Sequence, residues 1–156
     1  MSDLISKVTT RDMVLDDVDK VIEIENQCFP IPWSPYAFRC EILDNNFANY
    51  LVLINKEKPE EILGYAGMWV ILDEAHVTNI AIAPNHRGKR LGEFLLLSLI
   101  ARALTKGATA ITLEVRVSNT PALKLYEKIG FTKEGIRKGY YQDNNEDGII
   151  MWKKLV

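Results

Sequence analysis

The stretch His86–Gly92, HRGKRLG, sets Arg87, Lys89, Arg90 and the titratable His86 around Gly88 and Gly92, immediately before the apolar run FLLLSLIARAL. Positive charge at the mouth of a helix is unexpected on dipole grounds, because that end favours acids. The first amides of a helix lack intrahelical partners, however, and glycine lets a ligand approach the backbone closely. Together these make an anion cradle; the other reading is a solvated basic turn. The phosphate loop of nucleotide hydrolases would need GxxxxGK followed by Ser or Thr, which is absent, as is a dinucleotide-binding GxGxxG.

The 156 residues are 47% hydrophobic and 26% charged, which predicts one domain over 1–156 with enough chain for a real core. A net charge of -2 and a pI near 5.7 give no global basic field. Direct nucleic-acid binding is therefore not expected, and any anion site must be local. The opening MSDLISKVTTRDM is mixed and polar, unlike a secretory leader. The longest apolar run, Phe94 to Leu104, is interrupted by Ser98 and Arg102 and falls far short of the ~20 residues of a membrane span. These features predict a cytoplasmic protein with no membrane partner. Cys28 and Cys40 are expected as free thiols, and two histidines without a CxxC argue against a metal site.

Periodicity along the chain alternates strands and helices. A strand is expected around Val8 to Asp12, then a helix in LDDVDKVIEIENQCF, with Leu15, Val18, Val21, Ile22 and Ile24 or Glu25 at helical spacing and Asp16, Asp17 and Asp19 in its first turns. Pro30 and Pro32 force an extended loop, after which Ser34 caps and Pro35 begins a second helix to about Leu43. Trp33 either staples onto Phe38 or lines a substrate cleft. FANYLVLIN, EILGYAGMWVIL and EAHVTNIAIA read as consecutive strands that must pair antiparallel, having no long crossover between them. A helix from about Gly88 to Lys106 follows, closed by Gly107 and apolar nearly all round from Phe94 to Ala101, which predicts burial on more than one side. ATAITLEVRV alternates, with Ile111, Leu113, Val115 and Val117 on one face and Thr112, Glu114 and Arg116 on the other. Asn119 caps a last helix that ends at Gly130, and two strands around QDNNE finish the chain.

These residues resemble a family. NIAIAPNH followed by RGKRLG, then LEVRVSNTPALKLYEKIGF, is similar to the acetyl-CoA-binding core of the GCN5-related N-acetyltransferases (GNAT). FPIPWS, LDEAHVTNIAI and GYY with EDGIIMW have counterparts, in the same order, in its RimI-like branch, which acetylates protein N-termini, above all the N-terminal alanine of small-subunit ribosomal protein eighteen. The resemblance implies the GNAT acyl-CoA N-acyltransferase fold, an α/β class with a mixed, mostly antiparallel sheet flanked by helices and the cofactor in the splay between the strands of Ile80 and Glu114. It implies that Arg87, Gly88, Lys89, Arg90, Leu91, Gly92 and Glu93 cradle the pyrophosphate of acetyl-CoA, and that Ile80, Ala81 and Ile82 offer main-chain groups to its pantetheine arm. Asn119 is implied as a further contact while also capping its helix. Arg90 stands where the family pattern has its first glycine, so amide donation there is expected to require helical dihedrals.

Direct acetyl transfer needs a neutral amine, a polarised carbonyl and a proton for the departing thiolate. The resemblance gives Glu114 the base role and Tyr126 the acid role; otherwise Glu114 is an acid on a solvated strand face and Tyr126 an aromatic packed on the sheet. A phenol with pKa ~10 is protonated at neutral pH without tuning. Arg116, two residues along the same face, would lower the basicity of Glu114 if close. At pH 7, deprotonation costs roughly 1.1 kcal/mol for an α-amine and 4.6 kcal/mol for a lysine, so a single modest base suits an N-terminus better. Trp33, Glu74, Tyr140 and Tyr141 are candidates for binding the acceptor, with Asp143, Glu146 and Asp147 as acids that could attract it; each is equally readable as surface. The expected partner is a protein N-terminus, that of a ribosomal protein, with the chain a monomer or weak dimer. Two rivals remain: another amine acceptor such as a lysine, polyamine or antibiotic, and a non-catalytic binder of coenzyme A.

Overall fold

Strand β1 (Val8–Asp12) opens an alternation set by apolar periodicity: α1 (Val18–Cys28), α2 (Pro35–Asp44), β2 (Ala48–Asn55), β3 (Lys58–Ile71), β4 (Glu74–Ile82), α3 (Leu91–Thr105), β5 (Ala110–Arg116), α4 (Thr120–Ile129), β6 (Thr132–Tyr141) and β7 (Glu146–Lys154). The computed structural model describes residues 4–156, so the first three residues of the expected 1–156 domain lie outside the described residues. All seven strands form one sheet in the order β1-β2-β3-β4-β5-β7-β6. Only the β4–β5 pair is parallel, as a mixed sheet with an antiparallel bias requires. No described helix is long and apolar enough to cross a membrane.

The two faces of the sheet bury separate cores. On one, Leu91, Leu95, Leu96 and Leu99 of α3 pack with α4 residues over Leu51, Leu63, Met68, Ile111 and Met151. On the other, Val21 and Ile24 of α1 and Phe38 of α2 cover Val52, Ile54 and Tyr65. Each leucine so removed from water is worth roughly 1.5–3 kcal/mol. The outer side of α3 is not covered: Leu97 and Leu104 are 47% and 43% exposed. The expected burial on more than one side is therefore corrected, because a single sheet lies beneath the helix and its far side is left exposed among the described residues.

The caps follow the sequence closely. Ser34 Oγ accepts from the Ala37 amide at 3.1 Å, Asn119 Oδ1 accepts from Ala122 at 3.3 Å, and Gly107 and Gly130 take positive φ at the helix ends. The first helix starts later than its periodicity suggested, at Val18, because Leu15–Asp17 form a 3-10 turn. Asp17 does more than favour the dipole: it is 6% exposed, receives both Nη atoms of Arg11 at 2.8 Å and accepts the Val14 amide. Burial alone would raise its carboxyl, but Arg11 and that amide outweigh burial and hold it below the ordinary range.

One irregularity shapes everything downstream. Gly67 pairs with Asn79 but Met68 with Val77, so Thr78 is an extra residue in β4, a bulge. Bulges bend and twist the strand that carries them. Gly67 lies beneath Tyr50, and a Cβ there would come 2.1 Å from the ring. Tyr50 in turn holds the bulge, its hydroxyl 2.9 Å from Thr78 Oγ1 while donating to Glu41 at 2.8 Å. Gly67→Ala is thus expected to destabilise the protein by about 1–3 kcal/mol through overpacking, read as a melting temperature lower by roughly 2–10 °C.

Candidate active site

The parallel pairing of β4 and β5 stops early. Glu74, Ala75 and His76 pair with Ala110, Ile111 and Thr112, and from Val77 onward, at the bulge, the strands separate. A cavity of about 580 Å³ lies in the gap. Val77 to Ile80 and Leu113 to Arg116 form its sides, the loop Phe29–Trp33 forms one wall, and Tyr140 and Tyr141 stand opposite with Asn119 and Tyr126 of the α4 region. The expected splay between the strands of Ile80 and Glu114 is therefore present, and the β4 edge facing it has no strand partner.

Glu114 and Tyr126 line the same cavity. Glu114 has a quarter of its side chain exposed, and the nearest cationic atom is Arg137 Nε of β6 at 3.6 Å. The expected influence of Arg116 is corrected. Its guanidinium is held by Asp143 at 2.9 Å and Glu146 at 3.4 Å and stacks 4.1 Å above the Tyr141 ring, so it anchors the β6–β7 hairpin instead. This also occupies two of the acids considered for attracting a substrate, and Asp147 is taken by the Gly139 amide at 2.9 Å and Lys138 at 3.7 Å. Tyr126 is 7% exposed, and burial pushes its phenol up to about 12. No hydrogen bond to its hydroxyl is found among the described residues.

Tyr140 and Tyr141 meet edge to face, 5.0 Å between centroids, and burial pushes the Tyr141 phenol up to about 12. Trp33 serves both readings: its ring lies 5.2 Å from Phe38 and it also lines the cavity. Glu74 is not brought to the site. It begins β4 at the end where the strands are still paired, and sits 3.4 Å from His76.

The glycine-rich turn adjoins the cavity through Cys28, whose sulfur is 3.1 Å from Arg87 Nη2 and 3.6 Å from the Ile82 carbonyl. Here the expectation for Arg90 is overturned. Its φ of 64° and ψ of 18° are left-handed, and with Gly88 at φ 79° they delay helix α3 to Leu91. The amides from Gly88 to Glu93 have no hydrogen-bond acceptor among the described residues. Alternating handedness of this kind turns successive N–H groups into one concavity, an anion nest, so the turn fits a pyrophosphate. Glu93 has only its amide to offer such a ligand, because its carboxylate is paired with Lys128 at 2.8 Å; that hydrogen bond holds the carboxylate below the ordinary range. A Cβ costs about 1–2 kcal/mol in the left-handed region. Arg90→Gly is accordingly expected to be more stable than Arg90→Ala by about 1 kcal/mol, the reverse of the usual order inside helices, as thermal unfolding would read.

Sequence reasoning missed Glu25 and the Thr78–Asn79 bulge. Glu25 is 2% exposed, accepts the Trp33 amide at 2.9 Å and accepts the Tyr65 hydroxyl. Burial, then the charge of Glu25, pushes that phenol up. The signal was an acid placed in phase with Val21 and Ile24 on the apolar face of α1. The bulge leaves no comparable mark in the sequence.

The model of the acetyltransferase (GNAT) family matches residues 18–131, a span from α1 to the end of α4 that contains the nest, Glu114 and Tyr126. The crystal structure of the ribosomal-protein-S18-alanine N-acetyltransferase from Escherichia coli superposes with a TM-score of 0.84 at 33% identity, covering 95% of this chain and 94% of that one. A relative from Bacillus subtilis (strain 168), provisionally assigned the corresponding activity on ribosomal protein bS18, is 48% identical over 147 residues, 94% of this chain and 95% of its own. The fold is also shared, at 23% identity and a TM-score of 0.83 over 96% of each chain, with spermidine N-acetyltransferase from Vibrio cholerae in complex with CoA and spermine. With the family model spanning both the splayed strands and the nest, and these relatives matching almost end to end, the chain belongs to the GNAT acetyltransferase family.

Proposed function

We propose that this chain transfers acetyl from acetyl-CoA to the N-terminal α-amine of a protein, the alanine of ribosomal protein bS18, acting as one domain in the cytoplasm. The observation that carries the reading is the conjunction of Glu114 and Tyr126 in one cavity beside the nest, in a chain with relatives named for this activity across nearly its whole length. Acetyl-CoA supplies the activated acyl group and a thiolate leaving group. The amides of Gly88 to Glu93 would hold its pyrophosphate, helped by the cationic side chains of Arg87, Lys89 and Arg90. The open edge of β4 at Ile80, Ala81 and Ile82 would take the pantetheine arm as an added strand, with Asn119, its carbonyl committed to the cap, still free to donate through its amide nitrogen.

The acceptor amine enters between the Trp33 loop and the tyrosine pair. Glu114 receives its proton, directly or through water, and the neutral nitrogen attacks the thioester carbon. The carbon–sulfur bond then breaks, the Tyr126 hydroxyl protonates the departing sulfur, and the second proton shed by the nitrogen as the amide forms restores the phenol. Asp143, Glu146 and Asp147 play no part in drawing in the acceptor, being paired within the hairpin. The test is thiol release from acetyl-CoA with peptides beginning Ala, Ser or Met and with spermidine as rival acceptors. Turnover on the Ala peptide at least about tenfold above the others is expected, a discrimination of ~1.4 kcal/mol. Preferred turnover of spermidine would overturn the acceptor, and tight CoA binding with no turnover would favour a non-catalytic binder.

A further inference from the structure

Glu25 lines the acceptor cavity from α1 at 2% exposure, yet no Lys, Arg or His forms a salt bridge with it among the described residues. Both of its hydrogen bonds come from donors, the Trp33 amide at 2.9 Å and the Tyr65 hydroxyl, so each of its two oxygens acts as an acceptor. A carboxylate has about four lone-pair sites, and these bonds leave acceptor capacity unused. A buried charge without a counter-ion is costly unless an opposite charge is supplied. The arginines close by are committed elsewhere: Arg116 to Asp143 and Glu146, and Arg87 to the sulfur of Cys28, one turn along the helix.

Resting on the acetyltransferase reading, we propose that Glu25 is the counter-charge that draws the ammonium form of the acceptor amine into the cavity, ahead of proton transfer to Glu114. The low dielectric of the cleft lengthens the reach of such a charge. It also explains why an acid, and not Gln, joins α1 to the Trp33 loop, since Gln would hold the same geometry: its oxygen can accept the Trp33 amide and its nitrogen can donate to Tyr65.

The experiment is calorimetric binding, to the full chain with CoA present, of an Ala-starting hexapeptide and of the same peptide with propionyl in place of the first alanine, which removes only the amine. Wild type is expected to prefer the amine peptide by about tenfold or more. Glu25→Gln is expected to lose most of that preference while keeping its melting temperature and its affinity for CoA. Tyr65→Phe, which removes a hydrogen bond but leaves the charge, is expected to retain it. Should Glu25→Gln not fold, Glu25→Asp, which keeps the charge on a shorter arm, must retain the preference. No preference in wild type, an unchanged preference in Glu25→Gln, or equal loss in Tyr65→Phe would each overturn the proposal. Turnover of the amine peptide by wild type is measured alongside: with turnover intact these failures remove only the role of Glu25, whereas its absence removes the reading beneath it.

Discussion

Replacing Tyr126 by Phe is expected to lower kcat by about 10²–10³-fold while leaving the affinity for CoA within about twofold. The hydroxyl takes no protein partner among the described residues, so its loss breaks nothing seen to hold α4, and the ring remains packed 5.8 Å from Phe131. What disappears is the proton for the leaving sulfur, which is needed only as the carbon–sulfur bond breaks. An interaction made only in the transition state appears in kcat and not in binding. The pH profile gives an independent check. Because burial pushes this phenol up to about 12, wild-type kcat should show no fall between pH 8 and 10. A decline there would remove Tyr126 from the acid role. The same shift has a consequence for folding. The folded value lies above the ordinary ~10, so the stability it contributes is complete below about pH 10 and is lost as pH rises toward 12.

Glu114→Gln is expected to reduce kcat/KM about 10²-fold at pH 7, with a deficit that shrinks as pH rises. A free α-amine has a pKa of about 7.8, so above pH 9 solvent has already removed the proton that the carboxylate would take. The deficit on a lysine acceptor would persist over the same range, which separates the two acceptor classes in one experiment. Gln fits the β5 position opposite Ile150, and the contact it weakens, with the half-exposed Arg137, is a surface ion pair of little energetic weight. A profile with a constant deficit up to pH 10 would show that Glu114 acts on something other than the amine proton.

The parts of this fold legible in the sequence are those decided within a few residues. Ser34 and Asn119 cap because their side chains reach amides three positions on, and Gly107 and Gly130 end helices because the left-handed turn is needed there. Strand phases were legible for the same reason, down to Glu114 on its polar face. The start of α3 was not, because Gly88 and Arg90 adopt positive φ where local propensity favours continuing the helix backward. Leu97 read as buried since periodicity reports apolar character and not what lies above it. The bulge at Thr78 depends on Gly67 and Tyr50, far away in sequence, and it decides where β4 leaves β5. Without that point, Glu74 and Ile80 are equally eligible for the cleft; with it, Glu74 falls on the paired side. Arg116 was placed beside Glu114 by alternation, but a hairpin arriving from residues 143–146 claimed it first.

The central claim is a transfer onto an α-amine by this chain's own cleft, and it is tested most directly by locating the acetyl group. A peptide starting Ala and carrying an internal lysine is incubated with the protein and acetyl-CoA and sequenced by fragment-ion mass spectrometry, beside the same peptide with its N-terminus blocked. A single acetyl on the N-terminal nitrogen, absent from the blocked peptide and strongly reduced with Tyr126→Phe, is the predicted result. Acetyl on the lysine of both peptides would contradict the account.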